Sequence, residues 1–364
     1  MKLLFLTNVP SPYRVDFFNE LGKLCDLTVL FEKATSDERD SSWKKYEFRN
    51  FKGVFLKGVS LNTDTAFGFG AIKYVKDRSF DHIICANAAS PTGMIAIEYM
   101  KRHKIPYFIE GDGGFAKSGK GLKERIKRHF ISGAKGYFST SAAHDEYYIT
   151  YGAEREKIYR YPFTSLRAED ILSESVTPEE KTALRSKLGI TAERVLLSVG
   201  QFIPRKGFDV LLEAMAKLPD GIGCYIVGGE PTPEYLDQAA RLDLQNVHFV
   251  GFKQKEALNQ YYMAADLFVL PTREDIWGLV VNEAMAKGLP VVTTNKCIAG
   301  LELVKNGEDG YLVSVDDAGQ LAERIKEILE SRTRCVQMGQ KSLEIIRDYT
   351  IEKMAQNHMQ SLSS

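Results

Sequence analysis

Short apolar runs alternate with segments of helical periodicity through the first half of the chain. Helices are predicted over Tyr13–Lys23 and near residues 91–103, 121–131 and 141–151. This alternation is typical of a parallel sheet with helices on both faces. The strands predicted between the helices are Lys2–Leu6, Asp26–Phe31, His82–Cys85, Tyr107–Ile109 and Tyr137–Ser139.

The same alternation restarts in the second half, where a glycine or proline turn and a helix follow each apolar run. The final stretch, about 335–362, is predicted to be helical and polar. The chain is therefore predicted to be α/β, with two Rossmann-like doubly wound domains at 1–165 and 193–344 that face a ligand cleft. The strands predicted in the second half are Val195–Val199, Cys224–Val227, Val247–Val250, Leu267–Leu270 and Val291–Thr294.

Residues 166–192 change in character and are predicted to be the linker between the domains. Serine, glutamate, threonine and proline are frequent there, and an amphipathic helix follows over Pro178–Leu188. Proline is favoured at the first helical position, and Thr177 before it and Gly189 after the helix are a typical start and stop.

Length and composition are those of a globular protein with more than one core. The chain has 364 residues, of which 44% are hydrophobic and 26% charged. No apolar run approaches the roughly 20 residues that a membrane-spanning helix needs. The apolar start Met1–Leu6 resembles a signal peptide but ends too early, so a first strand of a cytoplasmic protein is expected. Five scattered cysteines without metal-ligand spacing fit a reducing compartment.

Charge is divided unevenly although the net charge is zero. Residues 1–165 hold 26 Lys and Arg against 19 Asp and Glu, whereas residues 166–364 hold 22 against 29. A basic first half favours an anionic surface or substrate. Basic and aromatic residues are not interleaved, so no nucleic-acid partner is expected.

The segment 271–290 carries the most chemical information. It lies between two predicted strands and contains a predicted helix, Gly278–Lys287, that ends at Gly288. Such a strand–loop–helix–strand unit implies parallel strands with a right-handed crossover, and ligands bind at the carboxyl ends of such strands.

Two carboxylates flank the start of that helix. Asp275 lies on the loop before it, and Glu283 lies within it and leans back toward the loop. Between them are the free N–H groups at the positive end of the helix. This arrangement suits a ligand with sugar hydroxyls at both ends and phosphates between them.

A second candidate site is the loop Gly200–Gly207, which follows the first strand of the second half. Arg205 and Lys206 are predicted to lie at the start of the helix Phe208–Leu218, where cationic side chains and the helix dipole favour a diphosphate. The loop matches neither a Walker A motif nor a dinucleotide fingerprint. The structural alternative is a solvated Arg–Lys pair beside a turn glycine.

Glu110 and Asp112 are spaced as in some metal-dependent sugar-nucleotide transferases, and they follow the predicted strand Tyr107–Ile109. Three interpretations stay open: metal ligation, a polar group near the reacting carbon, and a contact to an acceptor. The six histidines form neither a metal pair at helical spacing nor a Ser–His–Asp arrangement, so no metal site is predicted from them.

The segment 120–130 is a predicted basic helix, with Leu122, Ile126, His129 and Phe130 on one face. One interpretation is a helix that packs this face on the sheet and exposes its charges. The other is peripheral docking to anionic lipid headgroups or to a lipid-linked acceptor.

The Arg205–Gly207 loop and the Asp275–Pro290 segment together resemble family 4 retaining glycosyltransferases of the GT-B fold, the glycosyl transferases group 1. The signature is an acidic residue, seven residues and Glu, followed by Ala-Met-Ala-x-Gly-x-Pro, which Glu283–Pro290 matches. The opening Asn8–Arg14 is similar to members that build bacterial surface polysaccharides.

This resemblance implies roles for the matched residues. Arg205 and Lys206 would hold the donor diphosphate and stabilise the leaving group, Glu283 would bind the ribose, and Asp275 would hold the donor sugar. The last helix, about 345–364, would pack back on the first domain. The implied donor-binding set is Gly200, Arg205, Lys206, Ile276, Trp277, Gly278, Leu279, Val280 and Glu283.

The chain departs from the family pattern at the acids and at one cation. Asp275 stands where Glu is commoner, with Glu274 beside it as a competitor, and Gln201 stands where many members carry arginine. The family's first-domain histidine has no clear match. Glu110 or Asp112 occupies roughly its place, and Asp112 is the candidate catalytic residue.

The resemblance implies a hexosyltransferase that needs neither cofactor nor metal. It would transfer sugar from a nucleotide-diphosphate sugar, with retention, to a glycan or lipid-linked acceptor in bacterial capsule, O-antigen or lipopolysaccharide biosynthesis. A cytoplasmic protein, or one peripheral at the inner face of the plasma membrane, is expected. Alternatives are a GT-B epimerase or phosphorylase, and a non-catalytic GT-B binding protein.

Overall fold

The computed structural model describes residues 1–33, 47–60, 66–68, 70–117, 119 and 121–363. The chain forms two compact units. The first domain consists of Met1–Ser165 and Tyr349–Ser364, and the second domain is Leu166–Asp348. Within the described ranges, no helix is long and apolar enough to cross a membrane.

The first domain is built on a parallel sheet that has seven strands among the described residues. The order is β3-β2-β1-β6-β7-β8-β9, so the sheet grows outward in both directions from β1 and β6, as in a Rossmann fold. A short antiparallel pair, β4 (Val59–Ser60) and β5 (Ala66–Phe67), is separate. The strands of the parallel sheet are β1 (Lys2–Thr7), β2 (Asp26–Phe31), β3 (Lys52–Phe55), β6 (His82–Cys85), β7 (Phe108–Glu110), β8 (Gly136–Ser139) and β9 (Ile158–Arg160).

Two helices of the first domain begin at serines that accept a hydrogen bond from a free N–H group. The Ser90 side chain accepts a hydrogen bond from Gly93 N, and the Ser141 side chain accepts one from His144 N. Such caps stabilise a helix by about 1 kcal/mol. The helices before residue 165 are α1 (Pro12–Leu21), α2 (Ala71–Val75), α3 (Pro91–Arg102), α4 (Leu122–Ile131) and α5 (Ala142–Thr150).

The second domain repeats the same topology with a six-stranded parallel sheet in the order β12-β11-β10-β13-β14-β15. The strands are β10 (Arg194–Val199), β11 (Ile222–Val227), β12 (Val247–Val250), β13 (Leu267–Leu270), β14 (Val291–Thr294) and β15 (Gly310–Val313). The helices are α6 (Pro178–Leu188), α7 (Phe208–Met215), α8 (Pro233–Arg241), α9 (Lys255–Ala264), α10 (Leu279–Ala286), α11 (Ile298–Leu303), α12 (Ala318–Leu329) and α13 (Arg332–Ile346).

Fully buried aliphatic side chains hold the helices of the second domain on its sheet. Leu196 of β10, Leu211 of α7, Leu267 of β13 and Ile325 of α12 belong to one apolar cluster and are 0% exposed. Burial of one such side chain stabilises a fold by about 1.5–3 kcal/mol. The loops at the ends of β10 and β13 therefore project from a rigid support.

The segment predicted to be a linker, residues 166–192, lies in the second domain. Its helix α6 starts with a capping box between Thr177 and Glu180 and ends at Gly189, which has φ 69°. Lys181 and Arg185 of α6 both bind the carboxylate of Asp266, before β13. These contacts fix α6 to the second sheet.

The C-terminal stretch is two helices, because α13 ends at Ile346 and α14 (Ile351–Ser363) begins after a break. Helix α14 belongs to the first domain, where it packs on α1. The prediction that this stretch is polar is wrong for one face of α14, since Met354, Ala355, His358 and Leu362 are buried.

The predicted α/β class with two Rossmann-like domains is confirmed. Prediction from the pattern missed the short strands β3, β9 and β15, none of which has a fully buried run of residues. All three lie at sheet edges, where a strand has a partner on one side and its sequence need not be continuously apolar. The cleft stays a prediction.

Candidate functional site

The predicted site residues of the second domain meet at the switch point of its sheet. Strands β10 and β13 are neighbours, and the chain continues from them toward opposite edges of the sheet. Ligands of doubly wound folds bind in the crevice that such divergent connections leave. The loop Gly200–Gly207 leaves β10 here, and the loop Pro271–Gly278 leaves β13.

Lys206 and Asp275 form the central contact between these two loops. Lys206 Nζ donates to Asp275 Oδ2 at 2.6 Å, and Arg205 Nη1 lies 3.5 Å from Asp275 Oδ1. The side chains of Lys206 and Asp275 are 13% and 10% exposed, whereas that of Arg205 is 46% exposed. One cation is therefore fixed beside the carboxylate, and the other reaches into solvent.

Backbone geometry brings the two loops together. Gly207 has φ 69°, and a Cβ at this residue would lie 2.1 Å from the Pro271 carbonyl oxygen. A side chain at residue 207 would therefore separate the loops. Arg273 N donates to the Arg205 carbonyl at 2.8 Å, and Arg205 Nη1 donates to the Glu274 carbonyl at 2.8 Å.

Arg205 and Lys206 lie in a single 3-10 turn, Pro204–Lys206, and Gly207 separates them from α7. The prediction that they lie at the N-terminus of the helix that begins at Phe208 is therefore confirmed. Arg273 holds the turn from the other side: it donates to the Pro204 carbonyl at 2.5 Å and to Asp209 at 2.6 Å.

The loop from Asp275 to Gly278 is anchored through its backbone and through Trp277. Asp275 N donates to the Lys296 carbonyl at 2.8 Å. The Trp277 side chain points into the protein, where Nε1 donates to Asn282 Oδ1 at 2.8 Å and the residue is 2% exposed. Ile276, by contrast, is 53% exposed. A ligand can therefore contact Trp277 through its backbone and Ile276 through its side chain.

Helix α10 begins at this loop with an open N-terminus. Gly278 has φ 101°, and no side chain of the described residues caps the helix. The first N–H groups, including those of Leu279 and Val280, have no intrahelical acceptor. A Cβ on Gly278 would lie 2.9 Å from Cys297 Sγ, so glycine is required for the close packing. The result is a positive helix end next to two cations, which favours an anion.

Glu283 lies one turn further along α10, with its carboxylate held by α9. Tyr262 OH donates to Glu283 Oε2 at 3.0 Å, and Tyr262 is 1% exposed. Burial, with the nearby Glu283 charge, raises the pKa of Tyr262 well above its usual value. Tyr262 therefore stays a hydrogen-bond donor and orients the carboxylate.

Gly200 marks the end of β10 on the same edge. A Cβ at Gly228, at the end of β11, would lie 2.1 Å from the Gly200 carbonyl oxygen, so the two loops are in close backbone contact. Gln201, the residue that departs from the family pattern, is exposed. Gly200 thus lines the base of the crevice through its backbone.

In the first domain, Arg14 joins both candidate acids. Arg14 of α1 makes ion pairs with Glu110, the last residue of β7, and with Asp112. The Glu110 side chain is 0% exposed and that of Asp112 is 30% exposed. Tyr13 OH also donates to Asp112 Oδ2 at 3.2 Å. Of the two acids, Asp112 is the one that a ligand can reach, and Glu110 is enclosed.

His358 of α14 completes this cluster. Its Nδ1 lies 2.8 Å from the Met354 carbonyl oxygen, and its Nε2 lies 3.0 Å from Glu110 Oε2. Both partners are acceptor oxygens. Although burial opposes it, Arg14 and His358 lower the pKa of Glu110 to about 2. The Glu110 carboxylate is therefore held by both Arg14 and His358.

Helix α4 differs from the interpretation in which its apolar face packs on the sheet. Leu122 is 72% exposed and Ile126 is 41% exposed, while Ile131 is the buried residue of the helix. The prediction that this apolar face packs on the sheet is therefore wrong for its first two turns. Lys120, at the start of the predicted segment, lies outside the described residues.

Several partners of the site residues were missed from sequence. Tyr262 and His358 lie on helices whose patterns indicate only core packing, and Arg273 lies in a loop. The position of Arg273 directly before the Glu274–Asp275 pair was the one local signal of an electrostatic role. The predicted roles of the site residues themselves stay predictions.

Residues 180–344 match the sequence profile of the glycosyl transferases group 1. The lipopolysaccharide core biosynthesis glycosyltransferase LpsE of Rhizobium meliloti (strain 1021) is 32% identical over 187 residues, which cover 50% of this chain and 53% of LpsE. The D-inositol 3-phosphate glycosyltransferase of Mycolicibacterium smegmatis is 37% identical over 164 residues, which cover 42% of this chain and 37% of that enzyme. The chain thus spans about half, or less, of the length of these curated relatives.

Solved structures resemble the whole chain. Anabaena Alr3699/HepE in complex with UDP superposes with a TM-score of 0.78 at 21% identity and covers 100% of both chains. WaaG, a glycosyltransferase involved in lipopolysaccharide biosynthesis, gives a TM-score of 0.70 at 18% identity and also covers 100% of both chains. At such identities the likeness shows the fold, and the predicted GT-B class is confirmed.

The match to the glycosyl transferases group 1 thus falls within the second domain. The resemblance predicted from the Arg205–Gly207 and Asp275–Pro290 segments is confirmed, since both segments lie within the matched residues.

Proposed function

We propose that this protein is a retaining hexosyltransferase that uses a nucleotide-diphosphate sugar and a glycan or lipid-linked acceptor. The observation that carries the proposal is the Lys206–Asp275 pair beside Arg205 and the open N-terminus of α10. These groups converge at the switch point of a Rossmann-like sheet, where nucleotides bind.

The positive groups suit the diphosphate of the donor. Lys206, Arg205 and the first N–H groups of α10 would surround it and stabilise the charge that develops on the leaving nucleotide diphosphate. Asp275 fixes Lys206 in advance through the 2.6 Å contact, so little reorganisation is needed when the charge develops. Preorganised charge stabilisation of this kind is usually the largest part of such catalysis.

The two carboxylates would take the hydroxyl groups of the donor. Glu283, oriented by Tyr262, would accept hydrogen bonds from the ribose. Asp275, with the backbone of the Ile276–Gly278 segment, would accept hydrogen bonds from the sugar. Carboxylates bind such hydroxyls through charge-assisted hydrogen bonds.

In the proposed reaction the bond between the anomeric carbon and the phosphate oxygen breaks. The acceptor oxygen forms its bond to the same face of the carbon, and its proton passes to the departing phosphate oxygen. No side-chain nucleophile and no metal are required. If chelation by EDTA abolished transfer and divalent metal restored it, the metal-free mechanism would be wrong.

The comparisons support a nucleotide-sugar donor and a role in surface polysaccharide synthesis. HepE has been solved with UDP and with UDP-glucose, and LpsE and WaaG are both named for lipopolysaccharide biosynthesis. We therefore expect the protein to act at the cytoplasmic side of a bacterial membrane, where such donors and acceptors meet.

Donor binding tests the proposal most directly. A thermal-shift panel of UDP-, GDP-, ADP- and CMP-sugars should identify one donor, which at about 100 times its Kd adds roughly 2.7 kcal/mol of stability. Glu283→Gln should weaken that donor by about tenfold, since one charge-assisted hydrogen bond is lost. Glu213→Gln, an exposed glutamate of α7, is the matched control.

Other results would contradict the role of Glu283 or favour one of the alternative functions. Equal donor affinity in Glu283→Gln and Glu213→Gln would refute the ribose role of Glu283. Donor binding without transfer to any glycan or lipid-linked acceptor would favour a non-catalytic binding protein. Conversion of the donor in the absence of acceptor would instead indicate an epimerase.

We also propose that α4 docks the first domain on an anionic membrane. Leu122 and Ile126 are exposed beside the basic residues Lys123 and Arg125. An apolar strip flanked by cations is what binds a headgroup surface. The occupant we expect is therefore anionic lipid.

Sedimentation with phosphatidylglycerol vesicles tests this docking. The Leu122→Ser/Ile126→Ser double variant should bind at least about tenfold more weakly, because apolar area is lost. Leu236→Ser changes a residue of α8 that is 47% exposed and serves as the control. Equal vesicle binding by all three proteins would exclude α4 as the docking element.

A further inference from the structure

A cavity of about 120 Å³ lies in the second domain between α6, α13 and the segment that follows α10. Its volume is about that of four water molecules. The polar residues that line it are mostly cationic: Lys181, Arg185, Arg194, Lys287 and Arg332, with Asp266 as the acid. Hereafter it is called the α6–α13 pocket.

The α6–α13 pocket lies at the amino edge of the sheet. Arg194 is the first residue of β10, Asp266 directly precedes β13, and Gly288 precedes β14. The candidate donor site lies at the other ends of these strands. Since β10 has six residues at about 3.3 Å each, roughly 20 Å separates the two edges. The pocket is therefore not part of the donor site.

The single acid of the pocket is shared by several donors. Asp266 accepts from Arg185 Nη2 at 2.7 Å, from Lys181 Nζ at 3.3 Å and from Val195 N at 2.9 Å. One negative charge thus faces two cations and a backbone N–H.

The other cations are held mainly by uncharged groups. Arg194 Nε donates to the Leu329 carbonyl at 2.9 Å, and Lys287 Nζ donates to the Asp170 carbonyl at 2.5 Å. Glu193 lies 3.7 Å from Arg194 and 3.6 Å from Arg332, but its side chain is 71% exposed, where ion pairs contribute little. The pocket therefore has an excess of positive charge at short range.

Burial affects the two lysines of the pocket. It lowers the pKa of Lys181, although the nearby Asp266 carboxylate raises it. Burial also lowers the pKa of Lys287, although the nearby Asp170 carboxylate raises it. A bound anion would relieve both effects, because it favours the charged form of each lysine.

A hydroxyl group in the pocket also has no partner. Ser175 lines the cavity, and its Oγ is buried and makes no hydrogen bond to any described residue. A buried polar group without a partner costs about 1–3 kcal/mol. An oxygen of a ligand in the cavity would accept this hydrogen bond.

We infer that the α6–α13 pocket binds a compact tetrahedral oxyanion, either inorganic phosphate or the phosphate of a phosphomonoester. Arg185, Arg194 and Lys287 supply the charge-assisted donors that such an ion requires, and Ser175 supplies the neutral donor. The inference does not depend on the proposed transferase activity.

Calorimetric titration with inorganic phosphate, at ionic strength matched with chloride, tests the inference. The titration uses the Lys206→Met background, so that the donor site contributes little. One phosphate should bind per chain. Ser175→Asp should weaken binding at least about tenfold, because a carboxylate then occupies the cavity, and the Ser175 hydroxyl makes no hydrogen bond that the fold would lose.

Matched variants show whether a change in phosphate binding is specific to the α6–α13 pocket. Ser186→Asp places the same charge on an exposed part of α6 and should bind phosphate as the background does. Arg194→Gln should weaken phosphate at least about tenfold without new repulsion. Glycerol phosphate in place of inorganic phosphate distinguishes the two sources of the ion: tighter binding indicates a phosphomonoester site, and weaker binding indicates an inorganic phosphate site.

Two outcomes would overturn the inference. One is the absence of phosphate binding at matched ionic strength. The other is equal binding by Ser175→Asp and Ser186→Asp, which would show that the cations serve only to join α6, β10 and α13.

Discussion

Each domain places an acid–base cluster at the carboxyl edge of its parallel sheet, but the two clusters differ in exposure. In the second domain, Lys206 and Asp275 are paired while Arg205 is 46% exposed. In the first domain, the side chains of Glu110 and His358 are 0% exposed. Charged residues thus form an accessible cluster in the second domain, whereas the Glu110–His358 pair of the first domain is enclosed.

This difference in exposure separates binding from stability. An enclosed ion pair contributes little net stability, but the loss of one partner leaves a charge in a medium that cannot solvate it. An accessible cluster keeps water around its charges. The fold therefore tolerates the loss of one charged side chain, whereas ligand binding does not.

The largest effect is expected for Glu110→Gln. Loss of this carboxylate removes the hydrogen-bond partner of His358 and leaves part of the buried Arg14 charge uncompensated, which should destabilise the first domain by about 3–5 kcal/mol. Native-state hydrogen exchange of α1 and α14, read by mass spectrometry, measures the change. Glu98→Gln, which breaks a partly exposed pair with Arg102, should change it by less than about 1 kcal/mol. Comparable effects of the two substitutions would remove the distinction between the clusters.

Lys206→Met should act on binding and catalysis instead. Removal of one preorganised cation should lower kcat/KM for the donor by about 100-fold. Domain stability should change little, because Arg205 stays 3.5 Å from Asp275. Steady-state kinetics and urea unfolding provide the two measurements, with the exposed Lys217→Met as the control. A large loss of stability with unchanged kinetics would place Lys206 with the structural cluster.

A smaller effect is expected from pH, and it involves His144 beside the enclosed cluster. Burial lowers the pKa of His144 to about 3, and Thr140 N donates to its Nδ1 at 3.3 Å. The folded state therefore keeps His144 neutral, while the unfolded state binds a proton below its usual pKa of 6.5. Stability is lost as pH falls from about 6.5 toward 3, at about 1.4 kcal/mol per pH unit. Between pH 6 and 4.5 the first domain should lose about 2 kcal/mol.

The lowered pKa of Glu110 also makes the first domain less stable as pH falls, but over a lower pH range. Its folded value of about 2 lies below its usual 4.5, so its contribution is complete above pH 4.5 and is lost toward pH 2. The comparison of wild type with His144→Gln between pH 6 and 4.5 isolates His144. Urea-dependent pulse proteolysis with peptide mass spectrometry reports each domain separately. Parallel pH profiles for the two proteins would contradict a neutral, buried His144.

Features that depend on consecutive residues were predictable. The run Val195–Val199 predicted β10, and Thr177, Pro178 and Gly189 predicted the start and end of α6. The helix after Gly278 and its open N-terminus followed from one short segment in the same way. Periodicity, capping and turn chemistry are local, so the sequence carries them directly.

Helix α4 shows the limit of such patterns. Its sequence indicates which side chains share a face, and the structure shows that Leu122 and Ile126 of that face are exposed. Amphipathic spacing identifies an apolar strip but does not identify what covers it. Whether a neighbouring helix, a sheet or a membrane is available depends on the rest of the fold.

The sequence by itself determined that this protein has two alternating α/β domains and a group 1 transferase motif with Asp275 and Glu283 in it. The tertiary structure alone decided the partners of the charged groups. Lys206 and Asp275 are 69 residues apart, and Glu110 and His358 are 248 residues apart. Such pairs form only when sheet order and helix packing bring their elements together. Burial, which depends on that same packing, then leaves the cluster around Arg205 accessible to a ligand and makes the Glu110–His358 pair part of the core.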